Sequence, residues 1–128
     1  MARIILFRLA KKLPDSAGSQ GGGIYNVGAV TVSGSTLSGN SATYGGGGGI
    51  HNSGTLTVTS STLSGNTASH IGGGIYNSAG ATVTVSNSSR ICGNFAPAGF
   101  GADVYNLGVL YQDITSEICD LYGPRVWI

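Results

Sequence analysis

The sequence GGGIYN occupies residues 21–26, and it returns as GGGIHN at residues 47–52 and as GGGIYN at residues 72–77. A weaker fourth copy, GADVYN, occupies residues 101–106. The aliphatic residues of the four copies lie 26, 25 and 29 residues apart, and they are Ile24, Ile50, Ile75 and Val104. Self-similarity at a period of about 20–50 residues is typical of solenoids and related repeat architectures.

Two further motifs follow each copy. LSGN at residues 37–40 and 63–66 matches ICGN at residues 91–94, and ICD at residues 118–120 is a degraded form. Between the motifs lie VTV at 30–32, LTV at 56–58 and VTV at 83–85, with VLY at 109–111 in the fourth unit. Turn-forming Gly, Asn and Ser separate these segments, and no helical period occurs within a unit. Each unit therefore predicts three short strands.

Such brief strands cannot bury an apolar face alone, so the units are expected to stack. We predict an all-β fold, a right-handed parallel β-helix in which one chain winds through about four coils. Successive coils would lie about 4.8 Å apart, and the handedness follows from the crossover rule. Aliphatic residues would form three interior columns: Ile24, Ile50, Ile75 and Val104; Leu37, Leu63, Ile91 and Ile118; and Val30, Leu56, Val83 and Leu110.

Asparagines recur at two positions of each unit. Asparagine tolerates the left-handed backbone that corners of such a coil need, and stacked amides can hydrogen-bond from coil to coil. We interpret both sets as structural ladders rather than as binding sites. The ladders are Asn40, Asn66 and Asn94, and Asn26, Asn52, Asn77 and Asn106.

The pairing of GGGIYN with LSGN resembles the GGA-I and F-x-x-N repeats of polymorphic outer membrane proteins and of related pectin-lyase-like solenoids. The resemblance covers about residues 20–121, although Leu or Ile replaces the Phe and Gly replaces the Ala. It implies a parallel β-helix and a place at the bacterial cell surface or outside the cell. Proteins of this kind are usually much longer, with a secretion signal and an anchoring region. We therefore expect this chain to be a fragment or a degenerate reading frame.

We divide the chain into an N-terminal segment at 1–20, the repeats at 21–121 and a C-terminal tail at 122–128. Apolar residues of the first segment share one arc of a helical wheel, which is typical of an amphipathic helix that caps a solenoid. A degenerate signal or a misplaced start codon is the alternative. Residues 4–7 are too short for a convincing signal peptide, and no stretch of about 20 apolar residues predicts a membrane span.

Charge is scarce, since only 9% of residues are charged and the net charge is +1. So small a charge provides no field to attract nucleic acid. The five acidic residues are Asp15, Asp103, Asp113, Glu117 and Asp120, so the first three coils offer no carboxylate pair for catalysis or for Ca²⁺. His51 and His70 have no neighbouring metal-ligand set. We expect no catalytic residue, no metal site and no cofactor.

Cys92 and Cys119 stand at equivalent positions of adjacent units. Stacked coils would bring their Cα atoms near the range of a disulfide, about 4.4–6.8 Å, which fits an oxidising compartment. The equal alternative is a pair of partly exposed free thiols.

Two files of outward-facing side chains are candidate ligand-facing surfaces. One consists of Tyr25, His51, Tyr76 and Tyr105, which follow the buried aliphatic residues and should point outward. Such rings can stack on sugars, or they can simply reinforce coil pairing. The other consists of Thr31, Thr57 and Thr84, an array that resembles ice-binding solenoids, although threonine is also a common strand residue.

These observations predict a non-catalytic structural or adhesive module of a bacterial cell-surface or secreted protein that contacts surface glycans or proteins. The alternatives are a fragment of a carbohydrate-active β-helix enzyme and, third, an ice-binding solenoid. Unpaired strand edges at the ends of so short a solenoid also predict end-to-end self-association.

Overall fold

The computed structural model describes residues 16–17, 21–97 and 101–128, and within them it contains short β-strands and no helix. The strands are β1 (Ser16–Ala17), β2 (Ile24–Asn26), β3 (Ala29–Ser33), β4 (Thr36–Ser38), β5 (Ser41–Ala42), β6 (Ile50–Asn52), β7 (Thr55–Thr59), β8 (Thr62–Ser64), β9 (Thr67–Ala68), β10 (Ile75–Asn77), β11 (Thr82–Ser86), β12 (Arg90–Ile91), β13 (Val104–Asn106), β14 (Val109–Gln112), β15 (Glu117–Ile118), β16 (Leu121–Tyr122) and β17 (Val126–Trp127). The capping helix predicted within residues 1–20 falls outside the described residues, except that Ser16–Ala17 form β1.

Every strand pairs in parallel with its counterpart one coil away, which makes the chain a β-solenoid. The first sheet contains β2, β6, β10, β13 and β16, and the second contains β3, β7, β11, β14 and β17. The third sheet contains β4, β8, β12 and β15, and a small corner sheet contains β1, β5 and β9. The predicted architecture of about four stacked coils is confirmed. The part of the chain that the structure describes has no helix long and apolar enough to cross a membrane.

The interior consists of the predicted aliphatic columns. Ile24, Ile50 and Ile75 pair in register, and Val104 continues their column. The columns of the second and third sheets pair in the same way, with Leu110 facing Val83. These side chains form one core, in which all members are at most 8% exposed. Alternation within each strand produces this burial, because successive side chains point to opposite faces of a sheet.

Two local details differ from the sequence prediction. The first is a fourth short strand in the coil, represented by β5 and β9, whose alanines Ala42 and Ala68 are buried at a corner. Two residues are too few to produce a periodic signal. The second concerns the LSGN corner, where the left-handed conformation belongs to the glycine, with φ of +67° at Gly39 and +66° at Gly65. Glycine adopts this conformation without steric cost, which leaves the asparagine side chain free to turn inward.

The aliphatic interior ends at a buried polar residue on the C-terminal side of the solenoid. Residues 121–127, which include most of the predicted C-terminal tail, add β16 and β17 to the first two sheets. Gln112 takes the core position that Val85 holds in the preceding coil, and it is 1% exposed. Its Nε2 donates to the Ser116 carbonyl at 2.8 Å, and its Oε1 accepts from Arg125 at 2.9 Å. These hydrogen bonds satisfy a buried amide where the aliphatic column stops.

Candidate functional site

A file of five rings runs along the outer face of the first sheet, and we call it the ring column. Its members are Tyr25, His51, Tyr76, Tyr105 and Tyr122, each at the second position of its strand and paired in register with the next. Successive ring centroids lie 5.0, 4.8, 5.9 and 4.4 Å apart. The fifth ring was not predicted, because the repeat motif has disappeared by residue 122.

Exposure varies along the ring column. Tyr25 is 54% exposed and Tyr122 is 42% exposed, whereas Tyr76 and Tyr105 are half-buried. His51 is only 5% exposed, so the prediction that it offers an open surface was wrong. The rings on either side cover it, and the glycine run of residues 45–49 passes beside them. A Cβ at Gly46 would lie 2.9 Å from the Tyr76 ring, so only glycine permits this approach.

His51 is therefore a buried imidazole between two phenol rings. Its Nε2 lies 3.2 Å from the Ser53 hydroxyl. Burial lowers the pKa of His51, because desolvation disfavours the charged ring, and the nearby Gly46 backbone offsets this only in part. The folded chain therefore favours the neutral imidazole.

This burial predicts that the chain loses stability as the pH falls from 7.5 to 5. Because the folded pKa of His51 is lowered, the unfolded chain binds more protons below its own pKa of about 6.5. The free energy of unfolding has its full value above that pH, and it decreases as the pH falls towards the pKa of His51 in the folded chain. Replacing His51 by Tyr, the residue at the other four positions of the ring column, should flatten the profile of urea midpoint against pH.

The matched control is His70→Tyr, since His70 is exposed. This variant should keep the wild-type pH profile. Equal slopes for His51→Tyr and wild type would show that another group causes the pH dependence.

The two C-terminal rings form the most parallel pair. Tyr105 and Tyr122 are stacked with an interplanar angle of 14°. Desolvation, with Tyr122 and Tyr76 nearby, raises the pKa of Tyr105. At this end of the column the faces of the two rings therefore lie against each other.

The threonine file lies on the second sheet. Thr31, Thr57 and Thr84 pair in register, and each is half-buried. In the next coil Thr84 pairs with Tyr111 instead of with a fourth threonine. The hydroxyl array therefore spans three coils and then ends at a ring.

The two predicted asparagine sets form hydrogen-bonded ladders inside the solenoid. In the first ladder the side-chain Nδ2 of each asparagine donates a hydrogen bond to the Oδ1 of the next, at 2.7, 2.8 and 2.8 Å, and its members are Asn26, Asn52, Asn77 and Asn106. In the other ladder Asn40 donates to Asn66 at 3.0 Å and Asn66 donates to Asn94 at 2.9 Å. All seven are at most 8% exposed, so they are inaccessible to a ligand.

An acidic residue ends the second ladder. Asn94 donates its backbone N–H and its Nδ2 to the same oxygen of Asp103, at 2.9 and 2.8 Å. A carboxylate accepts hydrogen bonds but cannot donate one onward. Asp103 therefore closes this ladder, a role that no repeat motif indicates.

A third ladder, of serines, was missed. The backbone N–H of Ser35, Ser61 and Ser89 each donates to the hydroxyl of the serine one coil on, at 3.0, 3.2 and 3.1 Å. The last acceptor is Ser116. The sequence does contain a pattern for this ladder, because each serine lies two residues before an aliphatic residue of the third sheet.

The carboxylates of the last coil bind local partners. Asp113 accepts from the Asn87 backbone N–H at 2.8 Å, which holds the pKa of Asp113 below its usual value. Asp120 accepts from the backbone N–H groups of Gly101 and Ala102 at 3.2 and 3.1 Å. Glu117 pairs with Arg90 at 3.0 Å. Each therefore stabilises turns or coil contacts locally.

The two cysteines lie next to this ion pair. The structure joins Cys92 and Cys119 in a disulfide, with Cα atoms 5.1 Å apart. The pairing of Ile91 with Ile118 in the strands before them sets this separation. Cys92 is 4% exposed, whereas Cys119 is at the surface.

Comparison with known proteins returned no matching family profile, no matching curated protein and no matching solved structure. What the geometry establishes is a parallel β-solenoid with an outer ring column and a disulfide between its last two full coils.

Proposed function

We propose that the chain is a non-catalytic structural and adhesive module of a bacterial cell-surface or secreted protein, and that the ring column is its contact face for surface glycans. The observation that carries the proposal is the ring column itself. Tyr25 and Tyr122 are open at its ends and Tyr76 and Tyr105 are half-buried, so these four rings form an aromatic strip that the buried His51 interrupts. A strip of this kind suits the apolar faces of successive sugars in a linear polysaccharide.

The disulfide supports the extracellular part of the proposal. Disulfides persist in oxidising compartments and are rare in the cytosol. The resemblance of GGGIYN and LSGN to repeats of polymorphic outer membrane proteins supports the same location. Among the residues that the structure describes, β2, β3 and β4 are edge strands, and such unpaired edges also favour end-to-end association as part of a structural role.

The distribution of acidic residues supports a non-catalytic role. No Asp or Glu occurs between Asp15 and Asp103, so the outer faces of the first coils carry no acid–base pair. In the last coil, the carboxylates of Asp113 and Asp120 accept hydrogen bonds from backbone N–H groups, and Glu117 pairs with Arg90. The threonine file gives less support to ice binding, because Tyr111 interrupts it.

The test is binding of the whole chain to a glycan array, followed by affinity measurement for any polysaccharide it retains. Tyr25→Ala and Tyr76→Ala should each weaken binding about tenfold, which corresponds to roughly 1.4 kcal/mol of lost stacking. Each should keep the β-sheet circular dichroism spectrum of the parent chain.

Tyr44→Ala is the matched control, because Tyr44 is 69% exposed and lies outside the ring column. Its affinity should equal that of the wild type. Retention of no glycan, or equal affinity for all three variants and the wild type, would remove the ring column as an adhesive surface.

A further inference from the structure

Three potential metal ligands converge at the edge of the third sheet. The sulfur atoms of Cys92 and Cys119 and a carboxylate oxygen of Glu117 all lie within 4.8 Å of one another. Glu117 begins β15 and Cys119 directly follows it, while Cys92 directly follows β12 in the adjacent coil. The stacking of two coils therefore assembles the group.

Arg90 orients the carboxylate of this group. Its Nε binds Glu117 Oε2 at 3.0 Å, and the other oxygen, Oε1, lies 3.5 Å from Cys119 Sγ. Partners that hold a ligating side chain in place are a regular feature of metal sites. Glu117 thus presents one oxygen to Arg90 and the other to the sulfur atoms.

We propose that, when the disulfide is reduced, Cys92, Cys119 and Glu117 bind a zinc-class divalent cation, with water in a fourth position. Zinc prefers thiolate, imidazole and carboxylate ligands in a tetrahedron, with Zn–S of about 2.3 Å and Zn–O of about 2.0–2.2 Å. Such bond lengths place ligand atoms about 3–4 Å apart. The three ligand atoms already lie within 4.8 Å of one another.

The conversion of the disulfide form into the metal form begins with reduction of the disulfide. A small thiol of the glutathione class reduces the disulfide, so that two reductant thiols become one disulfide and the two cysteines become thiols. Cation binding then releases the two thiol protons, since the thiolate is the ligand. In the oxidised chain the sulfur atoms bond to each other. The metal form therefore belongs to a reducing environment and the disulfide form to an oxidising one; that the chain meets the oxidising one rests on the extracellular location proposed above.

The test is a titration of the whole reduced chain with Co²⁺ in the absence of oxygen and in the presence of a phosphine reductant. We expect a sulfur-to-cobalt charge-transfer band that saturates at one equivalent and disappears on addition of one equivalent of Zn²⁺. The oxidised chain should produce no such band. Zn²⁺ should also slow alkylation of the two thiols.

Glu117→Gln separates this site from a simple pair of thiols, and we expect it to weaken Co²⁺ binding at least tenfold. Asp113→Asn is the matched control, because Asp113 is another carboxylate of the same coil and should leave the affinity unchanged. Absence of the band, equal affinity for Glu117→Gln and wild type, or loss of the β-sheet spectrum on reduction would each overturn the proposal. None of these results depends on the ring column.

Discussion

Gly48→Ala is expected to destabilise the chain by roughly 3–5 kcal/mol. A Cβ at Gly48 would overlap the backbone carbonyl groups of Gly73 and Thr67, which belong to the adjacent coil and to the corner strand β9. Overpacking typically costs about 1–3 kcal/mol, and each backbone hydrogen bond lost when the coils separate costs about 1 kcal/mol more. Urea unfolding followed by circular dichroism measures the effect as a lower midpoint.

Gly65→Ala is the matched control for this prediction. Gly65 adopts a left-handed backbone with φ of +66°, but the nearest atom to its hypothetical Cβ is 3.8 Å away. The substitution should therefore cost only the left-handed strain of about 1–2 kcal/mol. Equal midpoints for the two variants would contradict close contact between coils at Gly48.

Asn66→Ala is expected to cost about 3–5 kcal/mol. Asn66 lies in the middle of its ladder and is fully buried. It accepts from the N–H and the Nδ2 of Asn40, both at 3.0 Å. It also donates Nδ2 to Asn94 Oδ1 at 2.9 Å and to the Leu37 carbonyl at 3.0 Å.

The size of this effect follows from the groups left behind. Each buried polar group that loses its partner costs about 1–3 kcal/mol, and the truncated side chain also leaves a small cavity. A loss of this size is a large part of the 5–15 kcal/mol of stability typical of a domain. The measurement is again the urea midpoint, under oxidising conditions so that the disulfide is intact.

Ser64→Ala is the control, since Ser64 lies in β8, in the same coil, and its side chain is partly exposed on the outer face. A change within about 0.5 kcal/mol is expected, as for other surface substitutions. A similar cost for Ser64→Ala and Asn66→Ala would mean that the ladder adds nothing beyond ordinary strand packing.

Part of the candidate site could be predicted from the sequence. Tyr25, Tyr76 and Tyr105 were identified from alternation, because a residue that follows a buried strand residue faces outward. Exposure could not be predicted, since it depends on what covers a side chain. His51 has the same strand position as Tyr25, yet neighbouring rings and the glycine run bury it.

The sequence alone determined the period, the in-register columns and the two asparagine ladders. Stacking imposes one geometry on every coil, so the same residue types must recur at the same spacing, and that recurrence is visible in the printed sequence. Only the tertiary structure decided that His51 is buried and that Tyr122 stacks on Tyr105. It also decided that Asp103 closes a ladder and that Cys92 and Cys119 form a disulfide. These features depend on contacts between particular coils that do not recur from one unit to the next, and a non-repeating contact produces no period to detect.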